Sequence, residues 1–213
     1  MVKSKFESRD LSGVGVKVSN KNKRIILAAA EQEFVVNGYQ GASVSRISIT
    51  SGIPRTNIHY YFSSKLELYG AVLTGILGLW NSAFTDIKSD DDPREALSNY
   101  ISSKIEYSKT NPDASRIFAS ELIHGAPYLS EYLKTDFKSW ISEKAAVIQS
   151  WCDQGKIDPI DPMHLLFMIW GSTQQYANFG VEVEAALGRS MDDEDFELAK
   201  STIMHIILKG CGL

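Results

Sequence analysis

The sequence has few of the residues that build disulfide frameworks or metal centres. Cys152 and Cys211 are the only cysteines in 213 residues. Two isolated thiols in a chain of this length are typical of a reduced, cytoplasmic protein. The four histidines lie far apart and lack the spacing of metal ligands. We therefore expect no metal ion and no cofactor.

Long apolar runs and catalytic signatures are missing as well. No apolar run reaches the ~18 residues that a membrane span requires, and no apolar segment follows the first lysines as it would in a signal peptide. The sequence also has no glycine-rich phosphate loop and no nucleophile placed on a strand–turn–helix elbow. These absences argue against an enzyme.

Positive charge is concentrated at one end of the chain. The net charge is −4, yet positions 1–69 hold ten Lys and Arg against five Asp and Glu, a balance of +5, so the remainder carries −9. This asymmetry predicts an N-terminal part that meets a polyanion. Chance variation of surface charge is the alternative explanation.

Alternation of apolar and polar residues is too short anywhere to predict a strand, so the expected fold is all-α. Positions 1–20 are aperiodic and predict a flexible basic arm, followed by a helix-turn-helix domain over 21–66 and a helical domain over 67–213. The resemblance given below implies that the helical domain over 67–213 is the ligand-binding and dimerisation domain. About nine helices are expected, at 22–37, 44–51, 54–62, 65–87, 94–110, 113–124, 130–154, 162–186 and 192–209.

The helix predicted at 54–62 carries two contrasting faces. Ile58 and Phe62 lie one turn apart on an apolar face, whereas the adjoining face holds hydrogen-bonding side chains. A short helix, a turn at Gly52 and a helix with a polar face make a helix-turn-helix, whose second helix enters the DNA major groove. The predicted DNA-binding residues are Ser43, Arg55, Thr56, Asn57, His59, Tyr60 and Lys65. The alternative, that the aromatic residues are core, is accepted for Phe62 and partly for Tyr61.

Specific contacts can be assigned to some of these residues. Arg55 could pair with a guanine edge and Asn57 with an adenine edge. Ser43 and Lys65 lie at helix starts, where hydroxyl, ammonium and backbone N–H groups meet phosphates.

The run from Arg24 to Leu68 resembles the DNA-binding domain of the TetR family of transcriptional repressors. The matching segments are Ile26–Ala30, Phe34, Gly38-Tyr39, Ser43-Val44, Ile47, Ser51-Gly52-Ile53, Tyr60-Tyr61-Phe62 and Lys65. Ser48, Ser51 and His59 depart from the residues usual in the family. The resemblance implies a regulator that acts at the nucleoid on double-stranded DNA.

Positions 93–212 resemble a pyrimidine-responsive branch of the same family. The matching segments are Asn111–Phe118, Gly125-Ala126-Pro127, Lys156–Pro162 and Leu166–Gln174. This second resemblance implies a homodimer that binds a small-molecule effector, uracil or thymine, and then leaves a palindromic operator.

A candidate effector pocket follows from residue types on the helix predicted at 162–186. Trp170 and Gln174 are neighbours on one face. The Gln174 amide offers a donor beside an acceptor, which matches the N–H/C=O edge of a pyrimidine. Trp80 and Trp170 could stack on the ring, and Phe118 could close one side. The alternative is a packed core in which Gln174 bonds a backbone carbonyl or water.

The last helix carries an apolar stripe that could form a dimer interface. Its members are Phe196, Ala199, Ile203, Ile206 and Ile207. Together with the 162–186 helix and the two-fold mates, the stripe could complete a four-helix bundle. Burial within one protomer would explain the same pattern.

Two other functions remain compatible with the resemblance. A multidrug-type repressor would have a larger pocket with several aromatic residues and buried carboxylates, of which Glu121 is the one candidate near Phe118. A DNA-bound protein that does not regulate transcription would have an exposed surface for a protein partner and no closed pocket.

Overall fold

A computed structural model describes residues 14–82 and 84–213, with side chains placed for residues 20–78, 80 and 84–213. Every regular element in this part of the chain is helical, which confirms the all-α prediction. In the described ranges every helix is too short or too polar to cross a membrane. The elements are α1 (Val14–Gly41), α2 (Val44–Ser51), α3 (Arg55–Tyr61), α4 (Lys65–Ser82), α5 (Pro93–Thr110), α6 (Pro112–Ile123), α7 (Ser130–Tyr132), a π-helical turn (Leu133–Phe137), α8 (Lys138–Asp153), α9 (Pro162–Asn178), α10 (Gly180–Leu187) and α11 (Asp193–Gly210).

The chain forms two compact units, the first ending at Val72 and the second beginning at Leu73. We call them the N-terminal unit and the C-terminal unit. The division falls inside α4, so the boundary predicted after residue 66 lies one to two turns earlier in the same helix.

The first helix follows its predicted apolar stripe but begins earlier than expected. Ile26, Ala30 and Phe34 are all buried, and Gly38 interrupts the helix with a φ of 61°. Positions 14–20, predicted to belong to a flexible arm, are helical, which corrects that boundary. No proline interrupts positions 14–22, and adding a turn to an existing helix avoids the cost of nucleation. Lys3, Lys5 and Arg9, the other basic groups of the predicted arm, lie outside the described residues.

Three hydroxyl groups shape the ends of α2. Ser43 caps its start by accepting the Ser45 backbone N–H at 3.2 Å. Gly52 ends it in the left-handed conformation, with φ 66° and ψ 12°. Across that turn the Ser48 hydroxyl donates to the Ile53 carbonyl at 2.7 Å, and the Ser51 hydroxyl accepts the Ile53 N–H at 3.2 Å. Both serines that depart from the family pattern therefore stabilise the turn between α2 and α3.

The C-terminal unit is built around a core shared by α5, α8, α9 and α11. Its fully buried members include Leu97, Ile101, Ile148, Trp151, Leu166 and Ile169. The predicted helix at 130–154 is continuous through α7 and α8 but contains the π-helical turn.

Two predicted helices end earlier than expected. Phe179 separates α9 from α10 inside the helix predicted at 162–186. Asn178 and Gly180 are poor helix formers, which explains the break. The helix predicted at 65–87 ends at Ser82, and four aspartates follow between residues 86 and 92.

Candidate functional site

The predicted DNA-facing residues of α3 all lie on the surface of the N-terminal unit. Arg55, Thr56, Asn57, His59 and Tyr60 are exposed, and Tyr60 has 84% of its surface accessible. Their opposite face is anchored because Ile58 and Phe62 are buried, at 1% and 3% exposure. The Arg55 Nε donates to His59 Nε2 at 3.3 Å, so these two side chains lie side by side on the exposed face.

A buried carboxylate fixes the start of α2. Glu33 Oε1 accepts the Ser43 backbone N–H at 2.8 Å and the Arg46 Nε at 2.8 Å. Burial alone would raise the pKa of Glu33, but the hydrogen bonds from Arg46 and Ser43 together lower it. The cap residue Ser43 is thus held from α1, and its hydroxyl and amide are both used inside the unit.

Lys65 has a structural role that the sequence did not predict. Its half-buried ammonium donates to the backbone carbonyls of Tyr39, Gln40 and Ala42 at 2.7, 3.2 and 3.0 Å. It also lies 4.6 Å from the centre of the Tyr39 ring. These carbonyls follow the break at Gly38, where the helix can no longer satisfy them. Three donors are all that an ammonium has, so a phosphate contact by Lys65 would compete with this arrangement.

The C-terminal unit encloses a cavity of about 190 Å³. Trp80, Phe118, Trp170 and Gln174, the four residues predicted to bind an effector, all line it. The complete lining is Leu77, Trp80, Tyr100, Lys104, Phe118, Leu122, Tyr132, Leu133, Phe137, Trp140, Trp170 and Gln174. The structure therefore brings side chains from α4, α5, α6, α7, α8, α9 and the π-helical turn to one place.

Aromatic side chains make two walls of this cavity. The Trp80 and Phe118 rings lie 4.5 Å apart. Trp140 and Trp170 are stacked with their planes within 22° at 6.4 Å. The Trp170 Nε1 donates to the Tyr100 hydroxyl at 2.5 Å, and burial raises the pKa of Tyr100. Flat walls of this kind suit a planar ring.

Three residues that line the cavity carry nitrogen donors with few partners. Within the described residues, the buried indole N–H groups of Trp80 and Trp140 have no partner. Lys104 is 5% exposed, and its ammonium lies 3.9 Å from the centre of the Trp80 ring. Burial lowers the pKa of Lys104 to about 7. Such a wall is complementary to a ligand rich in acceptor oxygens.

Sequence reasoning missed Tyr100, Lys104, Phe137 and Trp140 as lining residues. A signal for Lys104 does exist, because Leu97, Ile101 and Ile105 mark the buried stripe of α5 at intervals of four. Lys104 adjoins that stripe at a position where a solvated lysine would not be expected.

The predicted dimer stripe on α11 needs a correction. Ala199, Ile203 and Ile207 are buried in the core of their own protomer, and Phe196 packs against the same core. Of the predicted five, Ile206 alone is largely exposed, at 57%. Spacing of three and four predicts a buried face but not the surface that buries it. The large apolar side chains that α9 and α11 do expose are Phe167, Met168, Leu198 and Ile206.

No group of His, Cys, Asp and Glu in residues 14–82 and 84–213 could hold a metal ion. Two family models match the chain and divide it where the two units meet. The model described as bacterial regulatory proteins, tetR family, matches residues 26–72. The model described as YcdC-like protein, C-terminal region, matches residues 73–213.

Individual proteins are similar over most of the chain. The HTH-type transcriptional regulator RutR of Escherichia coli O157:H7 is 43% identical over 189 residues, which cover 88% of this chain and 89% of RutR. The HTH-type transcriptional repressor NicS of Pseudomonas putida is 30% identical over 114 residues, covering 53% of this chain and 54% of NicS.

Solved structures share the fold at lower identity. The ketosteroid transcriptional regulator KstR2 of Mycobacterium tuberculosis is 18% identical, with a TM-score of 0.72 over 90% of this chain and 95% of KstR2. AibR, solved with isovaleryl coenzyme A and operator DNA, is 16% identical, with a TM-score of 0.66 over 88% of this chain and 98% of AibR.

Proposed function

Because the chain belongs to the TetR family of bacterial transcriptional regulators, we propose that it is a repressor that a pyrimidine such as uracil or thymine releases from its operator. The protein acts in the cytoplasm, at the nucleoid, on a palindromic duplex. The observation that carries the proposal is the small cavity of the C-terminal unit, with its aromatic walls and its Gln174 amide.

The size of the cavity favours a small effector. Pockets for drug-sized ligands occupy about 300–1,000 Å³, whereas this one occupies about 190 Å³. A single six-membered ring with two exocyclic oxygens suits this volume better than a drug-sized ligand does.

The polar groups of the cavity favour a pyrimidine dione among small rings. No hydrogen-bond partner of the Gln174 amide lies among the described residues, so a ligand can take both its donor and its acceptor. The imide edge of uracil or thymine offers a matching N–H beside C=O. Gln174 is half-buried, and a ligand that covered its amide without bonding it would leave that amide unpaired, at a cost of about 1–3 kcal/mol.

The same features speak against a multidrug-type repressor. No described lining residue is an Asp or Glu, so the cavity lacks a counter-ion for cationic drugs. Glu121 is buried outside the lining, and its Oε1 accepts the Tyr128 backbone N–H at 2.6 Å. A regulator that answers only to a protein partner would not need a cavity with unpaired polar groups.

A homodimer is part of this proposal. Phe167, Met168, Leu198 and Ile206 expose large apolar surface on α9 and α11, which pack against each other in the core. Two such faces can close a four-helix bundle across a two-fold axis. The same two-fold axis would place two α3 helices on the two halves of a palindrome, with half-sites separated by one or more helical turns of DNA.

Operator release by pyrimidines tests the proposal directly. An operator is first selected from random duplexes, and gel shifts are then measured with and without uracil, thymine or a cationic dye. Allosteric couplings are typically about 1–3 kcal/mol, so uracil should weaken operator binding roughly 5–150-fold. Sedimentation of the free protein should show a dimer.

Two neighbouring glutamines provide the matched variants. Gln174→Leu should retain operator binding and lose release by uracil. Gln175→Leu should behave as the wild type, because Gln175 bonds Glu182 at 3.2 Å and does not line the cavity. If uracil still releases the Gln174→Leu variant from the operator, the effector site lies elsewhere. If cationic dyes but not pyrimidines release the wild type from the operator, the protein is better explained as a multidrug-type repressor.

A further inference from the structure

Lys104 is a buried lysine with few interactions in the described part of the chain. It lies on α5 in the cavity wall, 5% exposed. Its ammonium has no hydrogen bond and no ion pair within residues 14–82 and 84–213, and its one described interaction is with the face of Trp80 at 3.9 Å. A buried ammonium is expensive unless it is paired, so this position carries a cost that the fold itself does not offset.

None of the described residues that line the cavity supplies an anion to Lys104. From α4, α6, α8 and the π-helical turn the cavity presents aliphatic and aromatic side chains. The Tyr132 hydroxyl comes from α7, and α9 adds Trp170 and Gln174. On α5 itself the Tyr100 hydroxyl already accepts from Trp170. Burial without a counter-charge lowers the pKa of Lys104 to about 7.

We propose that Lys104 selects the chemical class of the effector by donating a hydrogen bond to an exocyclic ring oxygen. This inference rests on the proposed function, since it concerns the same cavity. A carbonyl oxygen or an ionised ring oxygen can accept from the Lys104 ammonium. A ring with an amino group at that position is rejected, because it turns a donor toward a donor. The cavity thus prefers diones and related oxo rings to aminopyrimidines.

Lys104 also couples effector binding to protons. A hydrogen bond to the ligand oxygen favours the charged ammonium, so the bound complex holds Lys104 protonated to a higher pH than the free protein does. Binding near neutral pH therefore takes up protons. Affinity is greatest below the pKa of the free protein, about 7, and falls as pH rises above it.

Calorimetric titration of the wild type and Lys104→Met tests the role of the ammonium. Methionine keeps an unbranched apolar stem and removes the donors. Hydrogen bonds to charged groups are strong enough that Lys104→Met should bind uracil roughly 10–100-fold more weakly at pH 6.5. Lys109→Met, on the same helix but paired with Asp193 at 2.8 Å outside the cavity, should bind uracil as the wild type does.

Two rings with one oxygen each identify the contact. Pyrimidin-2-one lacks the O4 oxygen of uracil, and pyrimidin-4-one lacks the O2 oxygen. The oxygen that meets Lys104 is the one whose loss weakens binding to the wild type but not to Lys104→Met. If each ring loses the same affinity relative to uracil in the wild type and in Lys104→Met, the hydrogen bond from Lys104 to a ring oxygen is overturned.

Proton uptake gives a readout that needs no variant. Titrations of the wild type with uracil at pH 7.5, in phosphate and in Tris, should give heats that differ because protons are taken up from the buffer. Two results together would overturn this inference and leave the proposed function standing. The wild type would bind uracil without taking up protons, and Lys104→Met would bind uracil with full affinity. Failure of the wild type to bind any pyrimidine would overturn the proposed function, and this inference with it.

Discussion

Two lysines show how differently the two units treat the same side chain. In the N-terminal unit the ammonium of Lys65 is surrounded by three backbone carbonyls. In the C-terminal unit the ammonium of Lys104 is more deeply buried and meets only an aromatic face within the described residues. A lysine that is fully paired stabilises the fold around it. A lysine that is buried without an acceptor instead lowers stability and leaves a place for a ligand.

The contrast extends to the other polar groups of each unit. In the N-terminal unit, the interior carboxylate of Glu33 and the hydroxyls of Ser48 and Ser51 are all bonded within the unit. In the C-terminal unit, the indole N–H groups of Trp80 and Trp140 are buried without partners in the described part of the chain. The first unit therefore presents its binding groups outward, whereas the second holds them inside.

The sharpest test of this contrast is Lys65→Met. The substitution leaves three carbonyls without their charged donor, so we expect the N-terminal unit to lose about 3 kcal/mol of unfolding free energy. The loss should appear as faster hydrogen exchange in the peptides that cover residues 39–42. Lys21→Met, at an exposed position of α1, should change exchange little. Normal exchange together with weaker binding to all DNA sequences would instead support the predicted phosphate contact of Lys65.

Lys104 should make the stability of the ligand-free C-terminal unit depend on pH. Its pKa is about 7 in the folded protein, below the ordinary value of 10.5, so between these values the unfolded chain binds more protons. Stability should therefore rise with pH above 7, by at most about 1.4 kcal/mol per pH unit from this group. In Lys104→Met this rise should disappear, and at pH 6 the variant should be more stable than the wild type. Urea denaturation from pH 6 to 9 measures both effects, and an unchanged slope in the variant would contradict the assignment.

The smallest expected effect concerns the outward-facing surface. Arg55→Ala should weaken binding to the selected operator by about 1–3 kcal/mol if Arg55 reads a base edge. Binding to scrambled DNA should fall much less, and Arg116→Ala in the C-terminal unit serves as the matched control. Equal losses on both duplexes would show that Arg55 contacts phosphate rather than a base.

The N-terminal unit could be predicted closely because its signals are local. The bounds of α2 at Val44–Ser51 match the prediction, since a capping serine and a left-handed glycine define them within one short segment. The exposed face of α3 likewise follows from the alternation of buried and polar residues along a single helix. The bonds of Lys65 within the unit could not be predicted for the opposite reason, because its three partners lie 23–26 residues away. Its phosphate contact stays a prediction.

The C-terminal unit was less predictable because its cavity is assembled from seven elements. Trp170 and Gln174 could be paired from their spacing on one helix, yet nothing local indicates that Lys104 and Trp140 face them. The apolar stripe of α11 is predicted correctly as a buried face, and Ala199, Ile203 and Ile207 are buried within their own protomer. Spacing alone could not decide between the protomer and the dimer. Family membership, confirmed by both family models and by the RutR relative, identifies the chain as a transcriptional regulator rather than an enzyme.

The placement of the tryptophans gives the protein an optical probe of one unit only. All four tryptophans of the sequence follow position 72, and three of them line the cavity. The fourth, Trp151, is fully buried and donates to the Lys88 carbonyl at 3.2 Å. Intrinsic emission excited at the red edge of the indole band therefore reports the cavity and its surroundings, while the DNA-binding unit remains dark. Binding of the proposed effector in this cavity can therefore be tested without a label, in the presence or absence of DNA.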